Sequence, residues 1–107
     1  MEVRFLADSM LGRLAKWLRV MGYDTYYQPF YKEGMIGQLI HDGRRLLSRR
    51  KAITEQYQDA LLILSNHVNE QLQEMKQGGN LTPDRSNWFS RCLICNVRLK
   101  EAEAEKA

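Results

Sequence analysis

Short apolar segments alternate along the chain with longer stretches of helical periodicity. Residues 3–7 form the first apolar segment, and the apolar positions after it recur at steps of three and four, as on one face of a helix: Leu11, Leu14, Leu18 and Met21. This pattern predicts a first strand that stops at Asp8 and a helix over residues 10–21. Ser9 or Asp8 is expected to cap the helix, and Gly22 to end it in the left-handed conformation.

The same alternation continues as far as Gly79. Strands are predicted at 25–27, 45–48 and 60–64, and helices at 32–42, at 52–57 and from 68 to the glycine pair at 78–79. The apolar run at 60–64 is typical of a strand covered on both faces. The resulting order of four strand–helix units predicts an α/β fold. Its parallel sheet has about four strands, is flanked by helices and is connected by right-handed crossovers.

The pattern changes beyond Gly79, which suggests a division of the chain. Residues 1–79 are predicted to form the α/β domain, 80–100 a partial zinc-ribbon segment and 101–107 a charged tail. The middle segment contains the aromatic pair Trp88 and Phe89, followed by a Cys-x-x-Cys motif at Cys92 and Cys95. That cysteine spacing suits a metal or redox site better than a structural disulfide.

Composition places the chain among ordinary globular domains and adds a basic character. Hydrophobic residues make up 44% of the 107 residues, and charged residues make up 27%. The formal net charge is +3, and because the tail at 101–107 contributes −2, residues 1–100 carry +5. A basic body favours an acidic partner such as nucleic acid. No run of about 18 apolar residues and no signal-peptide pattern occurs, so we expect no membrane span and a cytoplasmic location.

The candidate site lies where the predicted strands end. Asp8 follows the first strand, and the carboxyl edge of an open α/β sheet is where ligands collect. The basic cluster at 49–51 (Arg49, Arg50 and Lys51) follows the third strand, and with Arg13 and Lys16 on the first helix it would surround a path for phosphates. Two alternatives stay open: Asp8 as a helix cap, and Arg13, Lys16 and Arg19 as a solvated helix face.

Four stretches of the sequence resemble the Mut7-C ribonuclease domain. They are DSMLGRLAKWLR from Asp8, GYDT from Gly22, GRRLLSR from Gly43 and FSRCLICN from Phe89. The resemblance runs in order through residues 3–99, and the first and last motifs are the most specific. It implies a PIN-like nuclease fold whose acidic residues, at the carboxyl ends of the strands, hold Mg²⁺ or Mn²⁺ for RNA cleavage. It also implies a C-terminal zinc ribbon.

The resemblance assigns residues as well as a fold. Asp8 matches the first catalytic and metal-binding acid, and Glu33 stands in for another near the second helix. Cys92 and Cys95 would bind Zn²⁺, although a closed site needs four ligands. The other ligands would come from a second molecule, a distant histidine or a continuation of the chain. The pair could instead form a turn without metal.

Two positions depart from the family pattern, and both bear on catalysis. Arg50 occurs where the family places an acid after the third strand, and Asn66 occurs where an acid follows the fourth. A positive charge about 6 Å from a divalent ion opposes its binding by about 5 kcal/mol at an effective dielectric constant near 20. We therefore expect an RNA-binding domain with weakened or lost nuclease activity. The alternative is a non-enzymatic protein-interaction module, or a homodimer, that uses the aromatic and cysteine segment.

Overall fold

The computed structural model describes residues 3–81 and Arg91, and in this part of the chain the strands and helices follow the predicted order. The strands are β1 (Arg4–Ala7), β2 (Asp24–Tyr27), β3 (Arg45–Ser48) and β4 (Leu61–Leu62). The helices are α1 (Gly12–Val20), α2 (Met35–His41), α3 (Lys51–Glu55) and α4 (Val68–Gln77). All strand pairs are parallel and the spatial order is β2-β1-β3-β4, which confirms the α/β prediction.

Helix α1 begins two residues later than predicted, and the capping prediction was wrong. The cap residue is Leu11, which makes no side-chain capping bond; its N–H donates to the backbone carbonyl of Asp8 at 2.9 Å. The side chain of Asp8 is unavailable to the helix because other groups at the sheet edge bind it. At the other end, Gly22 has a φ of 91°, which confirms the left-handed helix stop.

The fourth strand is shorter and less covered than its apolar sequence suggests. β4 has two residues and, among the described strands, pairs with β3 alone, so it lies at an edge of the four-stranded sheet. Ile63 is buried, but the side chain of Leu64 is 72% exposed. The expectation of a strand covered on both faces was therefore wrong at the end of this run, where the chain leaves the sheet.

The core lies between the sheet and the pair formed by α1 and α4. Helix α1 contacts β1, β2 and α4, whereas α2 contacts β1, and α3 contacts β3 and β4. The connection from β1 to β2 contains α1, and the connection from β2 to β3 contains α2. These two connections cross the sheet in opposite directions, so right-handed crossovers place α1 and α2 on opposite faces. The main buried cluster contains Phe5, Ala7, Leu11, Leu14, Ala15, Leu18, Leu47, Ile63, Met75 and Leu81.

The strand order creates a crevice at the carboxyl ends of β1 and β3. Strand β1 lies between β2 and β3, so the chain first moves to one side of β1 and then returns to the other. The loops that leave β1 and β3 therefore diverge toward opposite faces, and ligand sites of open α/β sheets lie at such points. Asp8 follows β1 directly, and Arg49 and Arg50 follow β3.

Contacts with the α/β body extend past Gly79. Leu81 is buried in the core, and Arg91 donates from its Nε to the carbonyl of Gly22 at 3.2 Å. Asp24, close to that turn, pairs with Arg44 at 2.9 Å. The predicted zinc-ribbon segment, apart from these two positions and Asn80, lies outside the described residues, and the domain boundaries stay predictions. In the described part of the chain, no helix has the length and apolarity needed to cross a membrane.

Leu14 and Leu64 offer a matched test of this core. Leu14, on α1, is fully buried in the main core cluster, whereas Leu64, after β4, is 72% exposed. Leu14→Ala is expected to lower the free energy of unfolding by about 2–5 kcal/mol, since it removes buried methyl groups and leaves a cavity. Leu64→Ala is expected to change it by less than about 0.5 kcal/mol. Urea unfolding at pH 7 measures both values, and equal losses would contradict this arrangement.

Candidate functional site

A fully buried carboxylate forms the centre of the site. One oxygen of Asp8, Oδ2, accepts hydrogen bonds from Ser48 Oγ at 2.6 Å and from Arg50 Nε at 3.0 Å. The other, Oδ1, accepts from Arg50 Nη2 at 3.1 Å and from the backbone N–H of Ser9 at 2.7 Å. The guanidinium of Arg50 thus binds both carboxylate oxygens at once. This two-pronged geometry is the strongest form of an arginine–carboxylate pair.

The sheet itself holds these groups in position. The N–H of Asp8 donates to the carbonyl of Leu47 at 2.9 Å, which continues the pairing of β1 with β3 beyond the end of β1. Ser48 is the last residue of β3, and its hydroxyl also accepts the backbone N–H of Arg50 at 3.0 Å. Arg50 has an extended backbone, with a φ of −95°, immediately before α3. Strand pairing and the short β3–α3 turn therefore aim Arg50 at Asp8.

The electrostatics of the centre favour the ionised carboxylate. Burial acts to raise the pKa of Asp8, but the hydrogen bonds from Ser48, Arg50 and the Ser9 N–H outweigh it, and the pKa lies below its ordinary value of 3.8. The side chain of Asp8 is 1% exposed, whereas that of Arg50 is 53% exposed. The negative charge is thus inside the protein, and the cation that compensates it faces solvent.

The residues at this centre do not fit a divalent cation while Arg50 holds its position. Mg²⁺ and Mn²⁺ take several oxygen ligands, usually with more than one carboxylate. Here Asp8 supplies one carboxylate, both oxygens of which are bound to a guanidinium. Across residues 3–81 and Arg91, no three His, Cys, Asp or Glu side chains lie close enough to hold a metal ion.

The other predicted metal and catalytic residues lie apart from this centre or outside the described residues. Glu33 is exposed on the connection between β2 and α2, and within the described residues it has no hydrogen bond or ion pair. Its catalytic role stays a prediction. Cys92 and Cys95 are not among the described residues, so Zn²⁺ binding also stays a prediction.

The predicted basic residues are spread along the same edge with different surroundings. Arg49 donates from Nη2 to the carbonyl of Leu64 at 3.3 Å, which ties it to the loop after β4. Lys51 is exposed, and its Nζ is 3.9 Å from the exposed carboxylate of Glu55, a weak surface pair. Arg50 alone of the three points inward to Asp8. The cluster therefore presents Lys51 and the outer part of Arg50 to solvent.

A polar cleft of about 470 Å³ lies between the N-termini of α1 and α4. Arg13 lines it from one side, and Asn66 and His67 line it from the other. Lys16, the remaining predicted cation, lies almost one turn along α1 from Arg13, and both side chains are exposed. Asn66 thus lines the cleft at the position where the sequence resemblance led us to expect an acid, and it presents an amide there.

Two tyrosines that were not among the predicted site residues fix the loop after β1. The hydroxyl of Tyr27 donates to the carbonyl of Ser9 at 3.0 Å, and that of Tyr31 donates to the carbonyl of Ala7 at 2.6 Å. Burial raises the pKa of Tyr31 to about 12, so its hydroxyl remains a donor at any physiological pH. A Cβ atom added to Gly12 would lie 3.1 Å from the hydroxyl of Tyr27. These contacts keep Asp8 and the start of α1 in one arrangement.

Glu74, another residue that sequence reasoning missed, holds the loop after β4. Its two carboxylate oxygens accept the backbone N–H groups of Leu64 and Ser65, each at 2.9 Å. Burial acts to raise the pKa of Glu74, but hydrogen bonds from Ser65 and Leu64, together with the charge of Arg49, hold it below its ordinary value. In the sequence Glu74 is one polar residue of an amphipathic helix, so no local signal identifies this role.

Fold and site together define a small α/β domain with a parallel sheet and a buried acidic residue at the crevice where the strand order reverses. The chain belongs to the Mut7-C RNAse domain family, whose model matches residues 3–107. The family resemblance seen in the sequence is thereby confirmed. Neither the comparison with curated proteins nor that with solved structures gave a match.

Removal of Arg50 should change the acid stability of the domain. A carboxyl group whose pKa is lowered by folding contributes stability above its ordinary value of 3.8, and this stability is lost as the pH falls through the folded value. Arg50→Ala removes two hydrogen bonds, so the pKa of Asp8 is expected to rise. Because the Arg50 side chain is 53% exposed, the loss of unfolding free energy at pH 7 is expected to be modest, about 1–2 kcal/mol.

The difference in unfolding free energy between wild type and Arg50→Ala should then narrow as the pH falls from the raised pKa of Asp8 in the variant to the lowered pKa of Asp8 in the wild type, because the variant takes up the proton first. Urea unfolding from pH 7 to pH 3 measures this difference, and carbon-detected NMR of the Asp8 carboxyl group measures its pKa. Lys51→Ala removes a neighbouring exposed cation and is the control. A pKa of Asp8 that is the same in wild type and Arg50→Ala would contradict the assigned pairing.

Proposed function

We propose that this is a cytoplasmic RNA-binding domain in which metal-dependent cleavage has been weakened or lost. The observation that carries the proposal is the pairing of both Asp8 oxygens with the guanidinium of Arg50. Membership of a ribonuclease family makes RNA the expected partner. Because Arg50 occupies both oxygens of Asp8, the centre supports weakened or lost metal-dependent cleavage.

The charge of the Asp8 centre and its small number of metal ligands both disfavour cleavage. In a metal-dependent ribonuclease the ion orients water and stabilises the leaving oxygen, and carboxylates hold the ion. At the Asp8 centre the carboxylate is already neutralised by a cation that belongs to the chain. A metal ion would have to displace Arg50, and among residues 3–81 and Arg91 it would then find a single carboxylate and the hydroxyl of Ser48. Both effects disfavour metal binding.

Cations that remain accessible to solvent support the binding of RNA. Arg13, Lys16 and Lys51 are exposed, and the side chain of Arg50 is 53% exposed. They lie on the elements that leave or follow the carboxyl edge of the sheet, and residues 1–100 carry a net charge of +5. Exposed guanidinium and ammonium groups bind phosphates with little dependence on sequence. This distribution supports a backbone-binding surface for RNA.

Binding should be sensitive to salt and should depend on the carboxyl edge. Lys51→Ala is expected to weaken binding of a single-stranded RNA by about 2- to 5-fold and to reduce the slope of log K against log salt concentration by about 0.7. Lys76→Ala removes the same charge from an exposed position in the last turn of α4, near the opposite edge, and is the matched control. Fluorescence anisotropy with a labelled RNA between 50 and 200 mM salt gives both values.

Equal effects of the two lysine variants would contradict the location of the surface. Binding that does not weaken as the salt concentration rises would contradict the proposal itself. That second result would favour the protein-interaction alternative.

Replacing Arg50 by an acidic residue should allow the Asp8 centre to bind a divalent metal ion. A change from a positive to a negative charge about 6 Å from a divalent ion favours binding by about 3 kcal/mol even at the dielectric constant of water. Arg50→Asp is therefore expected to bind Mn²⁺ at least about 10-fold more tightly than wild type. Lys51→Asp carries the same charge change on the exposed neighbour of Arg50 and is the control.

Paramagnetic broadening of amide signals near Asp8 reports where Mn²⁺ binds. Equal Mn²⁺ affinity in wild type and Arg50→Asp would refute the role given to Arg50.

A further inference from the structure

The most exposed apolar side chains in the described part of the chain lie at the carboxyl edge of the sheet. Phe30 is 73% exposed, Leu64 is 72% exposed and Met10 is 60% exposed. They belong to the loops after β2, β4 and β1, and the remaining loop at this edge, after β3, carries the cations Arg50 and Lys51. One edge of the domain thus combines positive charge with exposed apolar surface.

Phe30 lies on a loop whose neighbouring residues are held in place. The N–H of Gln28 donates to the hydroxyl of Tyr31 at 3.1 Å, and that hydroxyl donates in turn to the carbonyl of Ala7 at 2.6 Å. The side chain of Gln28 also donates to the hydroxyl of Tyr26 at 2.8 Å. Phe30 is therefore exposed on a loop fastened to the strand end that leads into Asp8. Ordering it on binding costs less entropy than ordering a free loop.

An exposed aromatic ring on a held loop, with cations on another loop of the same sheet edge, fits a strand with unpaired bases. The planar face of every base can stack on an aromatic ring, while its phosphates bind guanidinium and ammonium groups. In a duplex the base faces are covered by neighbouring base pairs, so an exposed phenylalanine has no face to contact. An acidic protein segment would use the cations but would not account for the aromatic ring.

We propose that Phe30 is the base-contacting residue of the RNA surface: an unpaired base stacks on its ring while the neighbouring phosphates bind Arg50 and Lys51. This inference rests on the proposed function and adds the residue that recognises bases. Met10, which lines the cleft between α1 and α4, and Leu64 provide apolar surface on either side of the basic cluster.

The test compares two RNA strands of equal length and charge, one with bases and one abasic. Phe30→Ala is expected to weaken binding of the base-containing strand at least about 5-fold, the loss typical of one base–aromatic stack. It should leave binding of the abasic strand unchanged. Val3→Ala, at an exposed apolar position near the amino edge, is the control and should affect neither strand.

A second variant gives a direct signal of stacking. Phe30→Trp is expected to keep the affinity of wild type, because tryptophan also stacks, and its added fluorescence should be quenched by the base-containing strand and not by the abasic one. An unchanged unfolding midpoint for Phe30→Ala shows that the fold is intact. Equal weakening of both strands, or no weakening of either, would overturn the inference.

The outcomes separate this inference from the proposed function. If both strands bind with strong salt dependence and Phe30→Ala changes nothing, base contact by Phe30 is wrong and RNA binding stands. If neither strand binds, both are wrong. If Phe30→Ala leaves RNA binding unchanged but shifts a concentration-dependent sedimentation coefficient, the ring is covered by another protein chain and the inference is also wrong.

Discussion

A charged carboxylate buried at the edge of a sheet must be compensated, and this constraint shapes the whole carboxyl edge of the domain. Asp8 is fully buried, and its negative charge is tolerated because five donor groups surround it: the hydroxyl of Ser48, the N–H and hydroxyl of Ser9, and two nitrogens of Arg50. Lysine could not replace Arg50 here, since a single ammonium group cannot bind both oxygens with the planar geometry of a guanidinium. The centre thus depends on a cation of the chain itself.

The parallel sheet is what brings these distant residues together. Asp8 and Arg50 are 42 positions apart in the sequence, yet β1 and β3 are neighbours and end at the same edge. The pairing of Asp8 N–H with the carbonyl of Leu47 fixes the register, which sets Ser48 opposite the carboxylate. The tyrosine contacts from the β2 side hold the loop that carries Asp8. Fold and site are therefore one hydrogen-bonded system.

The features that could be predicted from the sequence are those with a local cause. Apolar periodicity located the strands and helices, and Gly22 identified a helix end because its left-handed φ favours glycine. Asp8 could be placed at the sheet edge because it directly follows an apolar strand. The direction of the Arg50 side chain could not be predicted from the sequence. An arginine after a strand can extend into solvent or pair with a carboxylate, and Arg50 meets Asp8 only because β1 and β3 are neighbours in the sheet. For the same reason Tyr27, Tyr31 and Glu74 were missed: their partners are far away in the sequence or belong to the backbone.

The close contact between Gly12 and Tyr27 has a consequence for how this sequence can change. The φ of Gly12 is not in the left-handed region, so glycine is not needed there for its backbone freedom. It is needed for space, since a methyl group would press on the Tyr27 hydroxyl, which is already committed to the carbonyl of Ser9. The two positions are thus coupled by volume. Alanine at position 12 would require the Tyr27 ring to move by a few tenths of an ångström against its hydrogen bond to Ser9, and a smaller residue at position 27 would remove that contact.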